Sequence, residues 1–171
     1  MIIIVEGIDR VGKTTLCHKI HEELNIPIFK IDRVECALSL TPYEKTILNV
    51  GHAHGLIDAW NMSNEDLIVD RFYWTEYVYT KIQRYRAISY KLVREIEDHM
   101  FEHIDNYFIV HIRPTDINWS SDAHGSDLSK HLELFDKIYD DSRLHKIRAD
   151  YISLDYAASK IKERLHEKCS L

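Results

Sequence analysis

Residues that make turns, cross-links and membrane spans are scarce in this chain. Its 171 residues include 5 glycines, 3 prolines and 3 cysteines. So little Gly and Pro excludes collagen-like and low-complexity chains, which carry roughly 25% or more of the two together. The cysteines, Cys17, Cys36 and Cys169, are odd in number and lack metal-ligand spacing. That excludes a disulfide scaffold and favours free thiols in a reducing compartment, so a cytoplasmic protein is expected. No apolar run approaches the roughly 20 residues that span a bilayer. The opening Met-Ile-Ile-Ile-Val-Glu has neither the basic stretch nor the small-residue cleavage site of a secretory signal, and it is expected to be a strand with no membrane partner. Cationic excess is lacking as well: 22 Lys and Arg stand against 28 Asp and Glu, a formal charge of -6. A dedicated binder of nucleic-acid polymers draws on the opposite balance.

What is present is apolar residue in quantity, 45% of the chain, enough for one core and one domain over residues 1–171. Ile2 to Glu6 is a β-branched run ending at a glycine, the pattern of a parallel strand buried on both faces. From Gly12 to Leu24 the period becomes helical, with Leu16, Ile20 and Leu24 on one side. Further strands are expected at Ile26 to Lys30, Leu67 to Asp70, Tyr107 to Ile112 and Tyr151 to Leu154. Helices are expected at Thr41 to Trp60, Phe72 to Arg84, Ser89 to Ile104, Leu128 to Asp140 and Tyr156 to Lys168. Strands alternating with helices predict an α/β fold, a five-stranded parallel sheet with helices on both faces and ligands at the carboxyl ends of its strands.

Gly7-Ile8-Asp9-Arg10-Val11-Gly12-Lys13-Thr14 fits G-x-x-x-x-G-K-[S/T] and lies between an expected strand and an expected helix. Gly7 and Gly12 let backbone amides turn around phosphate oxygens at the positive end of the helix, where Thr15 also lies. Lys13 would reach the β- and γ-phosphates of ATP, while the Thr14 hydroxyl would ligate Mg²⁺. Asp9 is an acid in a loop built for polyanions, so it should face a substrate hydroxyl or a cation. Arg10 beside the phosphates can neutralise charge on a transferred group.

Asp70-Arg71-Phe72 closes the third strand at the same edge. A carboxylate there can hold Mg²⁺ through water, and a planar guanidinium can grip a second phosphate. Phe72, Tyr73, Trp74, Tyr77 and Tyr79 follow, either as stacking faces for a base or as core. Arg113 leaves the fourth strand at the ligand edge, where its cation could lie under an adenine. His52 and His54, at i and i+2 of a helix, point about 200° apart and cannot share a metal, which leaves solvent or base-edge roles. Lys81, Arg84, Arg86, Lys91 and Arg94 alternate with Glu95, Glu97 and Asp98 as on a solvated helix face.

In Val5 to Thr15 and in Leu67 to Phe72 the sequence resembles the thymidylate kinase branch of the nucleoside monophosphate kinases. The resemblance implies a P-loop nucleoside monophosphate kinase fold, with a short lid at about residues 114–127, and a homodimer. It implies that Asp9 contacts the 3′-hydroxyl of an acceptor deoxyribose and that Arg71 and Arg33 bind the acceptor phosphate. Thr75 and Tyr79 fall where the family has Ser or Thr and an aromatic near the acceptor. Arg10 matches the arrangement in which the catalytic arginine sits in the phosphate loop, and Pro114 to Asp127 accordingly contains no Lys or Arg. Two family features are missing. The helix region that reads thymine offers Asn49, His52 and His54 but no arginine, and the lid lacks its Arg-x-Glu signature. A kinase for another deoxynucleotide or for a 5-modified pyrimidine would account for both. The expected reaction is transfer of the ATP γ-phosphoryl to a pyrimidine deoxynucleoside monophosphate. A deoxynucleoside kinase with Glu35 as base, or a nucleotide-dependent switch, are the rival readings.

Overall fold

The structure, a computed structural model, describes residues 1–30, 42–63, 65–83, 89–114, 128–150 and 154–169. Its strands are β1 (Ile2–Gly7), β2 (Ile28–Lys30), β3 (Leu67–Asp70), β4 (Tyr107–Arg113) and β5 (Lys146–Asp150). They form one parallel sheet in the order β2-β3-β1-β4-β5. Helices α1 (Lys13–Leu24), α2 (Pro42–Met62), α3 (Tyr73–Gln83), α4 (Tyr90–Phe101), α5 (Leu128–Asp141) and α6 (Leu154–Cys169) follow the strands in turn, with α3 and α4 both between β3 and β4.

β1 is the central strand because every residue in it can be hidden. Ile3, Ile4 and Val5 have no exposed surface, and burying each contributes about 1.5–3 kcal/mol. α1 packs on β1, β3 and α6, while α3 packs on β1, α4 and α5. The register pairs Val5 with Asp70 and Glu6 with His111, so the carboxyl ends of β1, β3 and β4 open at one edge.

The five-stranded α/β expectation holds, with two adjustments. β2 starts at Ile28 and not Ile26, because Asn25 ends α1 in a left-handed C-cap and Pro27 has no N–H to donate to a ladder. The fifth strand is Lys146–Asp150; of the strand expected at Tyr151 to Leu154, Leu154 opens α6 and residues 151–153 lie outside the described residues. As an edge strand, β5 needs an apolar residue only at alternate positions, and Ala149 is buried while Arg148 lies over the Tyr139 ring. An apolar-run criterion passes over such a strand. No described helix is long and apolar enough to cross a membrane.

Candidate active site

At the end of β1 the chain must leave the sheet between β3 and β4. Gly7 does so at φ 147°, and a Cβ there would lie 2.4 Å from the Ile112 carbonyl oxygen. Neither the conformation nor the space admits a side chain. Arg10 and Gly12 also take positive φ, 65° and 92°, and Arg10 is exposed. Gly12 caps α1 without a side-chain hydrogen bond, and the first turn contains no acid. The helix therefore keeps its electropositive amino end, beside Thr14 and Thr15, free of any carboxylate of its own.

Lys13 is buried, and its Nζ donates to the carbonyls of Gly7, at 2.8 Å, and Ile8. Burial lowers its pKa to about 8, with the Arg71 charge acting in the same direction and Asp9, Glu6 and Asp70 opposing. The Thr14 hydroxyl donates to Asp70 Oδ2 at 2.8 Å. Asp70 is almost wholly buried, and its Oδ1 has no hydrogen-bond partner. A hidden carboxylate oxygen left with nothing to accept is costly unless a cation or solvent meets it.

Arg71 follows Asp70 with φ 75°, unusual for a residue with a Cβ. Its guanidinium lies 2.9 Å from the Asp9 carboxylate. The Asp9 backbone N–H donates to the Tyr79 hydroxyl at 2.8 Å. Tyr79 is buried against the His131 ring at 4.8 Å, and that burial pushes its phenol pKa up. The loop, β3 and α3 thus meet through Asp9, Asp70, Arg71 and Tyr79.

Glu6 is a site residue that the sequence reading used only as a strand end and part of a motif. It has no exposed surface. Its Oε1 accepts the amides of Phe72 at 3.0 Å and Trp74 at 3.1 Å, while Oε2 accepts the Thr75 amide and hydroxyl. Glu6 therefore caps the amino end of α3 from a neighbouring strand. Burial raises its pKa to about 7, against the lowering effect of these bonds and of Lys13. β1 is buried along its whole length, so an acid at its end enters the core together with the apolar residues before it.

Other expected site residues have different surroundings. Thr75 is buried with its hydroxyl committed to Glu6. Phe72, Tyr73, Trp74, Tyr77 and Tyr79 are all core, and Tyr73 and Trp74 donate to buried Glu97, which also pairs with Arg94. Arg113 pairs with Asp136 of α5 at 3.1 Å, and Arg148 reaches the same carboxylate at 3.2 Å. His52 is exposed. His54 turns instead to α4, with its Nδ1 2.6 Å from His99 Nδ1. Arg33, Glu35, the Asn49 side chain and lid residues 115–127 lie outside the described residues. Behind the site, His111 is buried with neither ring nitrogen hydrogen-bonded, and burial among Arg148, Arg113 and Lys13 lowers its pKa to about 3.

No protein-family model matches the chain, and no curated protein does. Solved structures do. The YorR protein of Bacillus subtilis, in complex with phosphorylated GDP, is similar over 100% of this chain and 99% of its own at 28% identity, with a TM-score of 0.72. A deoxyadenosine kinase from M. mycoides with bound dATP is similar over 97% of this chain and 100% of its own, at 14% identity and a TM-score of 0.62. Thymidylate kinase from Candida albicans is similar over 98% and 91%, at 15% identity and a TM-score of 0.59. With its glycine-bounded loop, five parallel strands and these neighbours, the chain has the fold of the P-loop nucleotide kinases.

Proposed function

We propose that this protein is an ATP-dependent deoxynucleoside monophosphate kinase of the thymidylate kinase type, acting on a pyrimidine nucleotide such as dTMP or a 5-modified dUMP. The observation that carries this reading is the pair of phosphate-binding elements facing each other at the carboxyl edge: the loop from Gly7 to Thr14, and Arg71 held beside Asp9. A plain NTPase needs the first alone; an enzyme joining two phosphorylated molecules needs both.

In this reading the α1 amino end and Lys13 bind the triphosphate, with phosphate oxygens replacing the loop carbonyls at Nζ. Arg10, exposed at the loop tip, neutralises charge on the group in flight. Arg71 orients the acceptor phosphate, and Asp9, exchanging Arg71 for a sugar hydroxyl, fixes the deoxyribose. The residues present fit Mg²⁺: the Thr14 hydroxyl stands beside Asp70, whose second oxygen is buried and unpartnered. Mg²⁺ commonly keeps water and substrate oxygens as most of its ligands and takes only one or two protein groups. When bound, Mg²⁺ would supply charge neutralisation at the phosphates. Most of the rate comes from position and charge rather than from covalent work by the protein. Beyond the nucleotides, the partner in this reading is a second copy of the chain.

A purine acceptor is the second reading, supported by the phosphorylated GDP held by YorR. A coupled ADP-release assay tests both. It compares dTMP, dUMP, 5-substituted dUMP, dCMP, dGMP and dAMP with the matching nucleosides. Turnover with a pyrimidine nucleotide supports the main reading and turnover with dGMP the second. Turnover with nucleosides alone, or ATP hydrolysis indifferent to every acceptor, defeats both.

A further inference from the structure

We infer that Glu6 is a positioning residue for the acceptor side of the site: its buried carboxylate clamps the peptide that follows Arg71 and so aims the Arg71 guanidinium at the phosphate loop. The inference rests on the function proposed above and adds to it a residue that touches neither nucleotide.

The argument starts from the backbone of Arg71. A residue with a Cβ at φ 75° sits roughly 1–2 kcal/mol above the right-handed alternative, and such a conformation persists only where its surroundings over-determine it. Two hydrogen bonds do so here. The Arg71 N–H donates to the Val5 carbonyl at 3.1 Å, and the next amide, Phe72 N–H, donates to Glu6 Oε1 at 3.0 Å. The first holds the peptide before Arg71 and the second the peptide after it, so both backbone torsions of Arg71 are tied to consecutive residues of β1. The Trp74 and Thr75 amides hold the same carboxylate at the start of α3.

The consequence is geometric. Val5 and Glu6 lead directly into the loop that carries Asp9, so the strand that delivers the phosphate loop also fixes the backbone from which Arg71 springs. The guanidinium meets Asp9 at 2.9 Å. An amide side chain at position 6 has the same shape but half the acceptors, and its NH₂ group would confront a backbone N–H. Arg71 would then relax toward negative φ, and its side chain would leave the acceptor position. In that reading the donor nucleotide is bound by other residues, Lys13 and the α1 amino end; Lys13 Nζ bonds the Gly7 and Ile8 carbonyls, and Glu6 acts on it only as a nearby charge.

Steady-state kinetics on the intact Glu6→Gln and Arg71→Ala variants test this. Glu6→Gln should raise the acceptor KM at least about tenfold, an effect confined to the acceptor, while the KM for ATP stays within about threefold. A general packing defect would move both constants or abolish folding. An Arg71→Ala variant with an unchanged acceptor KM would overturn the proposed function itself. A raised acceptor KM in Arg71→Ala with normal kinetics in Glu6→Gln would overturn the inference alone. Hydrogen exchange on the wild-type protein gives a reading that needs no variant. The Phe72 and Trp74 amides should be protected as strongly as the β1 ladder, and exchange at the rate of open loop amides would sink the clamp.

Discussion

Asp9 and Arg71, one in the phosphate loop and one beyond the end of β3, stand 2.9 Å apart as an ion pair at the mouth of the site. Both side chains are about one-third exposed, so the pair contributes little to stability. Its importance lies in registration. Each residue answers the electrostatic problem of the other, an acid near a polyanion site and an arginine in a strained turn.

Removing the charge at Lys13 or Arg10 should abolish most of the chemistry and leave the fold. Lys13→Ala and Arg10→Ala are each expected to lower turnover by about 10²–10³, with melting temperatures near that of the wild type. Near-normal turnover in either purified variant would remove that residue from the mechanism.

Gly7→Ala should be severely destabilising. The added Cβ meets the Ile112 carbonyl at 2.4 Å and the backbone stands at φ 147°, so β1 and β4 must part or the loop must refold. A loss of about 2 kcal/mol or more is expected in urea denaturation, together with loss of nucleotide binding.

Glu6 makes stability depend on pH in an unusual direction. Its folded pKa, raised by burial to about 7, exceeds the ordinary value of 4.5, so the native state holds the proton more tightly than the unfolded chain. That stabilisation is complete below pH 4.5 and is lost as pH rises through 7, a change of roughly 3 kcal/mol. His111 works the other way: its folded pKa of about 3 against 6.5 favours the native state as pH rises through that interval. Comparing wild type with Glu6→Gln separates the two. The stability difference between them should shift against the wild type from pH 4.5 to 8, and a flat difference would show that Glu6 keeps an ordinary pKa.

His111→Leu should stabilise the protein. The imidazole is packed among Phe135, Trp74 and Tyr139 with neither nitrogen hydrogen-bonded, and a buried polar group without a partner costs about 1–3 kcal/mol. An apolar side chain of similar size removes that cost. A midpoint in denaturant below that of the wild type would mean that the ring nitrogens are satisfied in solution.

The alternation of apolar runs and helical periods was enough to read the parallel sheet, because buried central strands such as β1 are written as uninterrupted β-branched residues. The phosphate loop was legible for a related reason: its glycines are demanded by local backbone geometry, and Gly7 shows that demand in a Cβ with no room. β5 escaped because an edge strand hides only one side, so Lys146 to Asp150 has no apolar run to find. The environment of Glu6 also lay beyond local pattern, for the amides it accepts, of Phe72, Trp74 and Thr75, lie at the start of α3, far along the chain. Which aromatic rings would be core and which would face a base could not be decided by composition, and packing against Glu97 and His131 decided it for Tyr73, Trp74 and Tyr79.

The sequence by itself determined most of the elements and the glycine-bounded loop, since these depend on near neighbours and on side-chain chemistry. Tertiary structure alone decided that Asp9 faces Arg71, that Thr14 leans on Asp70 and that Glu6 governs the turn between β3 and α3. Those contacts join residues distant in the chain, and they exist because the strand order sets β1 between β3 and β4.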